Sequence, residues 1–237
     1  MNKKITEIIL STFSSGVAIG VQPIIALNVT PEWMAVVLAA LLGAATFYAL
    51  SIIVSIPFQF HQLRRFINQT YGIEGYWFVI VDDDDEHPYS FTWIRYQPSV
   101  ELFQYRGRNF YKDLTVHARW SSSAIITDGR MDRIHFLFEA DLTKQGSTFR
   151  GHGAMDFSNY LGGVYTALSG SFVDSGPILK RRTFSGERVT GVFVKSILGK
   201  SSIADDEDTR KVVEALLRRK KLPFVDVQAK NGISAKQ

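Results

Sequence analysis

In Arg133-Ile-His-Phe-Leu-Phe-Glu-Ala-Asp-Leu142, apolar and polar side chains take turns along the chain. Ile134, Phe136, Phe138, Ala140 and Leu142 alternate with Arg133, His135, Glu139 and Asp141. A period of two marks a strand with one packed face and one wet face. Upstream, Leu114, Val116, Ala118 and Trp120 alternate in the same way with Thr115, His117 and Arg119. Further period-two segments fall at 75–81, 90–97, 100–106, 124–127, 147–157, 165–174 and 181–194, with turn residues between them. The pattern predicts eight or nine antiparallel strands within residues 71–198. Such a meander protects its edges by closing on itself, and an eight-stranded antiparallel β-barrel leaves room for one small ligand.

The first sixty residues follow another rule. Residues 33–60 contain no charged side chain, and the run from Trp33 to Ala45 is almost wholly apolar. At about 1.5 Å per residue, such a helix reaches ~42 Å, enough to cross a hydrocarbon core of about 30 Å with some tilt. Residues 5–29 form a second apolar stretch with one formal charge, Glu7, and with Gln22 and Pro23 interrupting it. Ser11, Thr12, Ser14, Ser15, Gly16 and Gly20 give this stretch a small-residue surface that lets helices approach closely in lipid. Between the two, Thr30 is placed as a helix cap and Pro31 at a first helical position, so residues 1–66 read as a transmembrane helical hairpin. Asn28-Val-Thr30 fits a glycosylation acceptor, but its place is the hairpin turn. Lys3, Lys4, Arg64 and Arg65 flank the hairpin and its loop has neither Lys nor Arg, which predicts that both ends and the barrel are cytoplasmic. A signal-peptide reading of the first ten residues finds no clear Ala-x-Ala site behind it.

Residues 199–237 make a third segment. Gly199 to Ala204 is a short linker, and Asp205-Asp-Glu-Asp208 opens a helix carried to Leu222 by Val212, Val213, Leu216 and Leu217. An acidic start and the basic finish Arg218-Arg-Lys-Lys221 suit the helix dipole, and the apolar stripe predicts packing on the barrel. Residues after Val227 are expected to be a disordered tail.

Catalytic chemistry is hard to find. The chain has no Gly-rich phosphate loop, no nucleophile elbow and no paired-histidine metal motif, and its five histidines are scattered. The lack of cysteine excludes disulfides and thiolate metal sites. Asp82-Asp-Asp-Asp-Glu86 lacks the spacing of a calcium loop and reads as a solvated hairpin turn. The reading is a non-enzyme with no cofactor. A net charge of +4 adds nothing, since basic residues beside anionic lipid are expected.

Gln104-Tyr-Arg-Gly-Arg-Asn-Phe-Tyr-Lys112 interleaves aromatic rings and cations around a glycine. Aromatic faces stack on bases and guanidinium groups pair with phosphates, so this composition suits a nucleotide. On these grounds the candidate ligand-binding residues are Tyr105 and Trp120 for bases, Arg95, Arg106 and Arg108 for phosphates, and Ser122 for base edges. An aromatic core with solvent-facing arginines would give the same composition.

Gly75-Tyr-Trp77 resembles the opening of lipocalin-type barrels, whose Trp is covered by an Arg from a late strand; Arg182 and Arg188 are both placed to serve. Two N-terminal spans followed by a small barrel carrying Tyr105-x-Gly107, Tyr111, Trp120-x-Ser122, Gly151-x-Gly153 and Asp156 resemble a wider family. This is the two-transmembrane, β-strand-rich effector family of bacterial cyclic-oligonucleotide-based antiphage signalling (CBASS). The resemblance implies a multi-pass inner-membrane protein whose barrel binds a cyclic dinucleotide made by a partner nucleotidyltransferase. It further implies that the bound protein forms a homo-oligomer and disrupts the membrane, ending the infection with the cell. The resemblance marks Tyr105, Trp120 and Ser122 as motif positions without giving their roles. The competing expectations are a membrane-anchored, lipocalin-like binder of a lipid or other apolar ligand, lined by Leu, Phe and Val with few cations, and an anchor whose barrel binds a protein.

Overall fold

The computed structural model describes residues 3–26, 32–59, 72–82, 84–97, 102–127, 132–143, 146–175 and 180–224. It resolves into two compact units, residues 1–68 and 69–237.

In the first unit, α1 (Lys3–Ala26) packs against α2 (Glu32–Gln59). α1 runs unbroken through Pro23, where the sequence suggested an interruption. The helices meet through small groups: a Cβ on Gly43 would stand 3.0 Å from Ala18 Cβ and 3.2 Å from the Ser14 carbonyl oxygen. Ser14, Ala35 and Ala39 are buried. Thr46 and Ser51 return their hydroxyls to carbonyls one turn back, at 2.8 and 2.7 Å, so the helix keeps these polar groups satisfied without water. Residues 33–53 of α2 have a mean hydropathy of 2.3, making this helix long and apolar enough to cross a membrane. Among the described residues it is the one helix that reaches that standard, so a second span in α1 stays an expectation. The turn expected around Asn28, with the Thr30 cap, lies outside the described residues.

The second unit is a closed eight-stranded barrel in which every strand pairs antiparallel with its neighbours in sequence. The strands are β1 (Gly75–Val81), β2 (Tyr89–Gln97), β3 (Leu102–Phe110), β4 (Val116–Thr127), β5 (Arg133–Leu142), β6 (Thr148–Leu161), β7 (Val164–Asp174) and β8 (Arg181–Val189). β8 returns to β1, Tyr76 opposite Val189 and Val81 opposite Phe184, and closes the wall. The decapeptide of β5 behaves as its pattern dictates: Ile134, Phe136, Phe138 and Ala140 are buried and the residues between them exposed. Segments 114–120 and 124–127, expected as two strands, are one strand, β4. A bulge between Ser122 and Ala124 shifts the pairing with β5 and hides its continuity in the sequence.

Two helices follow. α3 (Gly191–Leu198) occupies residues that the pattern extended β8 into. Gly191-Val-Phe-Val194 has the composition of a strand, yet Thr190 caps a helix there, its hydroxyl accepting from Phe193 N at 3.2 Å. Gly199 ends α3 at φ 71°. α4 (Asp206–Lys220) starts on the cap Asp205, whose carboxylate accepts from Asp208 N at 2.8 Å, and matches the expected helix.

The barrel unit has two cores. One fills the interior, around Trp77, Tyr105, Phe136, Phe138 and Met155. The other lies outside the wall, where Phe78, Phe91 and Phe110 meet Val194, Val212, Val213 and Leu217 of α3 and α4. The part of the β1–β3 wall that carries Phe78, Phe91 and Phe110 is therefore buried on both faces. The tail after residue 224 lies outside the described residues.

Candidate functional site

One end of the barrel is plugged. Trp77 is fully buried, and its indole Nε1 donates to the Ile73 carbonyl at 3.1 Å. The Arg188 guanidinium lies over the indole, 4.8 Å from the ring centre. Its nitrogens donate to the carbonyls of Tyr165 and Glu74, each at 2.5 Å, and of Gly72. A cation over a ring with three main-chain acceptors fixes this latch in place. Gly75 sits at φ 145°, and a Cβ there would strike the guanidinium. Of the two arginines placed to cover Trp77, Arg188 takes the role; Arg182 lies at the other end.

Above the plug is a cavity with about 50 Å³ of space for water centres, lined by Val79, Val81, Ser90, Thr92, Tyr105, Asn109, Trp120, Phe136, Phe138, Ala140, Phe149, Phe172 and Phe184. Its aromatic wall is built edge to face: Tyr105 meets Trp120 with ring centres 4.5 Å apart and Phe136 at 5.1 Å. Glycines across the strands make room for these rings. A Cβ on Gly107 would collide with the Trp120 indole, one on Gly151 with Phe138, and one on Gly153 with Phe136. The motif glycines are seats for aromatic side chains.

The polar groups of the cavity are uncharged and cluster on β2 and β3. Ser90 is buried and its Oγ has no hydrogen-bond partner. Burial pushes the Tyr105 phenol far above its usual range, with the Thr92 hydroxyl opposing the shift in part. The phenol is therefore neutral at every physiological pH. Asn109 Oδ1 accepts from the Trp120 indole at 3.1 Å.

At the open end, Arg182 projects from β8 two residues before cavity-lining Phe184. It pairs with Asp84 through Nη1, while its Nε is buried without a partner. Desolvation lowers its pKa. Asp84 also accepts from the backbone N of His87 at 3.0 Å. The His87 ring stacks on His117, 3.6 Å between centres, and both rings meet Tyr111 edge-on. This cluster ties the 82–88 loop to the turn between β3 and β4.

The six expected ligand contacts divide between the two sides of the wall. Tyr105 and Trp120 line the cavity, and Ser122 stands beside Tyr105 without lining it. Arg95 and Arg106 are exposed on the outer surface of β2 and β3. Arg108 is also outside, with Nε donating to Asp206 at 2.5 Å, Nη1 to Thr209 at 2.8 Å, and the guanidinium 5.1 Å from the Trp93 ring centre. Arg119 shares the Asp206 carboxylate. Arg108 thus holds α4 to the barrel, and the expected juxtaposition of Tyr105 with Arg106 and Arg108 does not occur. Neighbours on one strand face opposite ways, so a wall separates them. Ser122 is also engaged: its Oγ accepts from Tyr105 N at 3.0 Å where the β4 bulge interrupts pairing. Asp156 pairs with Arg133 across β5 and β6, at 2.6 Å, on the exposed face.

Ser90, Thr92, Asn109 and Arg182 were not among the expected site residues. In Tyr89-Ser-Phe-Thr-Trp93, alternation separates the aromatic residues from Ser90 and Thr92 without saying which face is the interior; Tyr89 and Phe91 join the core under α3 and α4, which leaves Ser90 and Thr92 to the cavity. Among the described residues, no cluster of His, Asp or Glu could hold a metal ion. No protein-family model, curated protein or solved structure matches the chain.

Proposed function

We propose that this protein is a membrane-anchored sensor that admits a cyclic dinucleotide to its barrel and, once bound, assembles and damages the membrane. Ser90 carries this reading. A hydroxyl buried without a partner costs about 1–3 kcal/mol, a debt that a hydrogen-bonding ligand relieves. Beside it stand Thr92, Tyr105 and Asn109, and facing it are the rings of Trp120 and Phe136. Flat aromatic walls with neutral hydrogen-bonding groups between them match a nucleobase, which offers a π face and polar edges. Arg182, with an unused Nε–H at the rim, matches a phosphate.

The cavity in its present form has room for no more than a few waters at ~10–15 Å³ each. A base therefore enters as Phe149 and Phe172, half-buried near the open end, turn aside. Ligand and open form then stabilise one another, and assembly follows if the assembled state binds more tightly. Both spans, a cytoplasmic barrel and an inner-membrane location belong to this proposal, as does the likeness to the antiphage effectors.

One observation favours a second reading, an apolar ligand such as an acyl chain: nine of the thirteen lining residues are aliphatic or are Phe or Trp, and none is a cation. Thermal unfolding of the full chain in detergent, against cyclic dinucleotides and fatty acids in parallel, separates the two. A ligand at about a hundred times its dissociation constant stabilises the barrel by ~2.7 kcal/mol. Stabilisation by one cyclic dinucleotide, lost in Arg182→Gln, is expected. Stabilisation by fatty acids alone would replace the proposal with the second reading.

A further inference from the structure

Alternation of strand direction sorts the barrel's connections into two ends. β1, β3, β5 and β7 start at the end plugged by Trp77, and β2, β4, β6 and β8 finish there. The opposite end carries the loops 82–88, 111–115, 143–147 and 175–180.

Exposed apolar side chains are distributed unequally between these ends. Leu161, at the tip of the β6–β7 hairpin, is 74 % exposed, with Tyr160 beside it at 40 %. Ile126, next to the last residue of β4, is 67 % exposed, and Leu102, which opens β3, is 59 % exposed. All four belong to the Trp77 end, and exposed Val192 follows directly after β8 arrives there. Of the other large apolar residues exposed on this unit, Leu137 is mid-strand and Ile197 is in α3. The opposite end presents Asp82, Asp85, Glu86 and Lys112 instead.

We infer that the Trp77 end is a lipid-contacting surface, with Leu102, Ile126, Tyr160 and Leu161 set into the boundary between headgroups and acyl chains. The chain itself names the occupant. Residues 60–71 join α2, which is apolar enough to cross a bilayer, to Gly72 at this same end. At a maximum of ~3.5 Å per residue, that joint keeps this end within about 42 Å of the point where α2 stops. Arg64 and Arg65 lie in the joint, and cations of this kind are drawn to anionic headgroups. The four residues stand on three strands, β3, β4 and β6, of the rim, as suits a continuous fluid surface better than one rigid partner. Tyr beside Leu is the pairing expected at a membrane interface, where an apolar ring keeps a wet hydroxyl. The inference rests on α2 as a span and is independent of what the cavity binds.

The absence of cysteine makes the test direct. Leu161→Cys, Ile126→Cys and, as the control at the opposite end, Lys112→Cys are labelled with an environment-sensitive fluorophore. The full chain is then reconstituted in vesicles of equal parts phosphatidylcholine and phosphatidylglycerol. Labels at 126 and 161 should emit to the blue and be quenched by nitroxide-bearing lipids. The label at 112 should be quenched by aqueous iodide. Iodide access at 126 and 161 equal to that at 112 overturns the inference. So does protection that disappears when the protein is diluted into excess lipid, an outcome that assigns the surface to a second copy of the chain. Two labelled positions guard against one substitution perturbing its own hairpin.

Discussion

Ser90 and Gly107 show how a single side chain, or the lack of one, shapes the barrel interior. Replacing the unpartnered hydroxyl in Ser90→Ala should raise the stability of the ligand-free protein by about 1 kcal/mol and, on the proposed function, weaken nucleotide binding. Urea unfolding with and without ligand reads both effects, and a variant that loses stability and keeps its affinity contradicts the role given to Ser90. Gly107→Ala drives a methyl group into the Trp120 indole and should cost ~1–3 kcal/mol, seen as a lowered unfolding midpoint. The sequence singled out Tyr105 and Trp120 as separate ring platforms, and the barrel brings their rings together on the cavity wall. It also contained the argument against Arg106 and Arg108, since alternate residues of β3 face opposite sides of the wall. The interleaved composition was persuasive only while that parity was ignored. Ser90 and Thr92 were hidden for another reason: their flanking aromatic residues serve a second core that becomes visible only when the helices are placed.

Among the elements, β5 was legible to the residue because one of its faces is solvent, so its pattern is undiluted. β1 to β3 were harder to read, being covered on both faces over part of their length, and α3 was missed because Val and Phe favour strands until a capping Thr190 and a C-terminal Gly199 enforce a helix. α4 is held by more than its apolar stripe. Asp206 receives Arg108 and Arg119 from the outer wall, and the Arg119 hydrogen bond, with the Arg108 charge behind it, holds its carboxyl below the usual carboxylate range. A carboxylate depressed in the folded state adds stability that is complete above the unfolded value of about 3.9 and fades as pH falls through the lower folded value. Asp206→Asn should therefore destabilise the barrel by ~1–3 kcal/mol at neutral pH, leaving the mostly buried Arg108 without its anion. The gap between variant and parent should narrow below about pH 4. Thermal unfolding from pH 7 to 3 measures it, and a gap that is constant over that range contradicts the clamp.

At the scale of the whole molecule, the two units differ in the surface they present. α2 leaves Leu41 exposed at 61 %, near the middle of its apolar run, a waste of apolar surface in water and the normal state in lipid. Leu41→Lys should raise the cost of insertion by ~3 kcal/mol and shift the chain from the carbonate-resistant membrane fraction toward the extractable one. Equal resistance in both proteins contradicts a span centred there. Division into an apolar helical unit and a mainly β unit was legible in the sequence, because composition and periodicity change together between residues 60 and 75. What remained hidden is which side of the barrel wall each chemistry occupies, for that depends on contacts between residues far apart in sequence.

The seam between β1 and β8 also governs how the chain can be made. Trp77 waits for a partner, Arg188, that the ribosome adds more than a hundred residues later. Until then the sheet is a ribbon with two bare edges, and nothing within it closes the ring. Closure is a late, non-local event, slow by the standard of helices that nucleate within themselves. By then α2 has long since left the exit tunnel, so the apolar helix is made well before the barrel can close. A chain cut short before Arg181 would be an apolar helix attached to an open ribbon, with no enclosed cavity and an edge ready to pair with the nearest copy of itself.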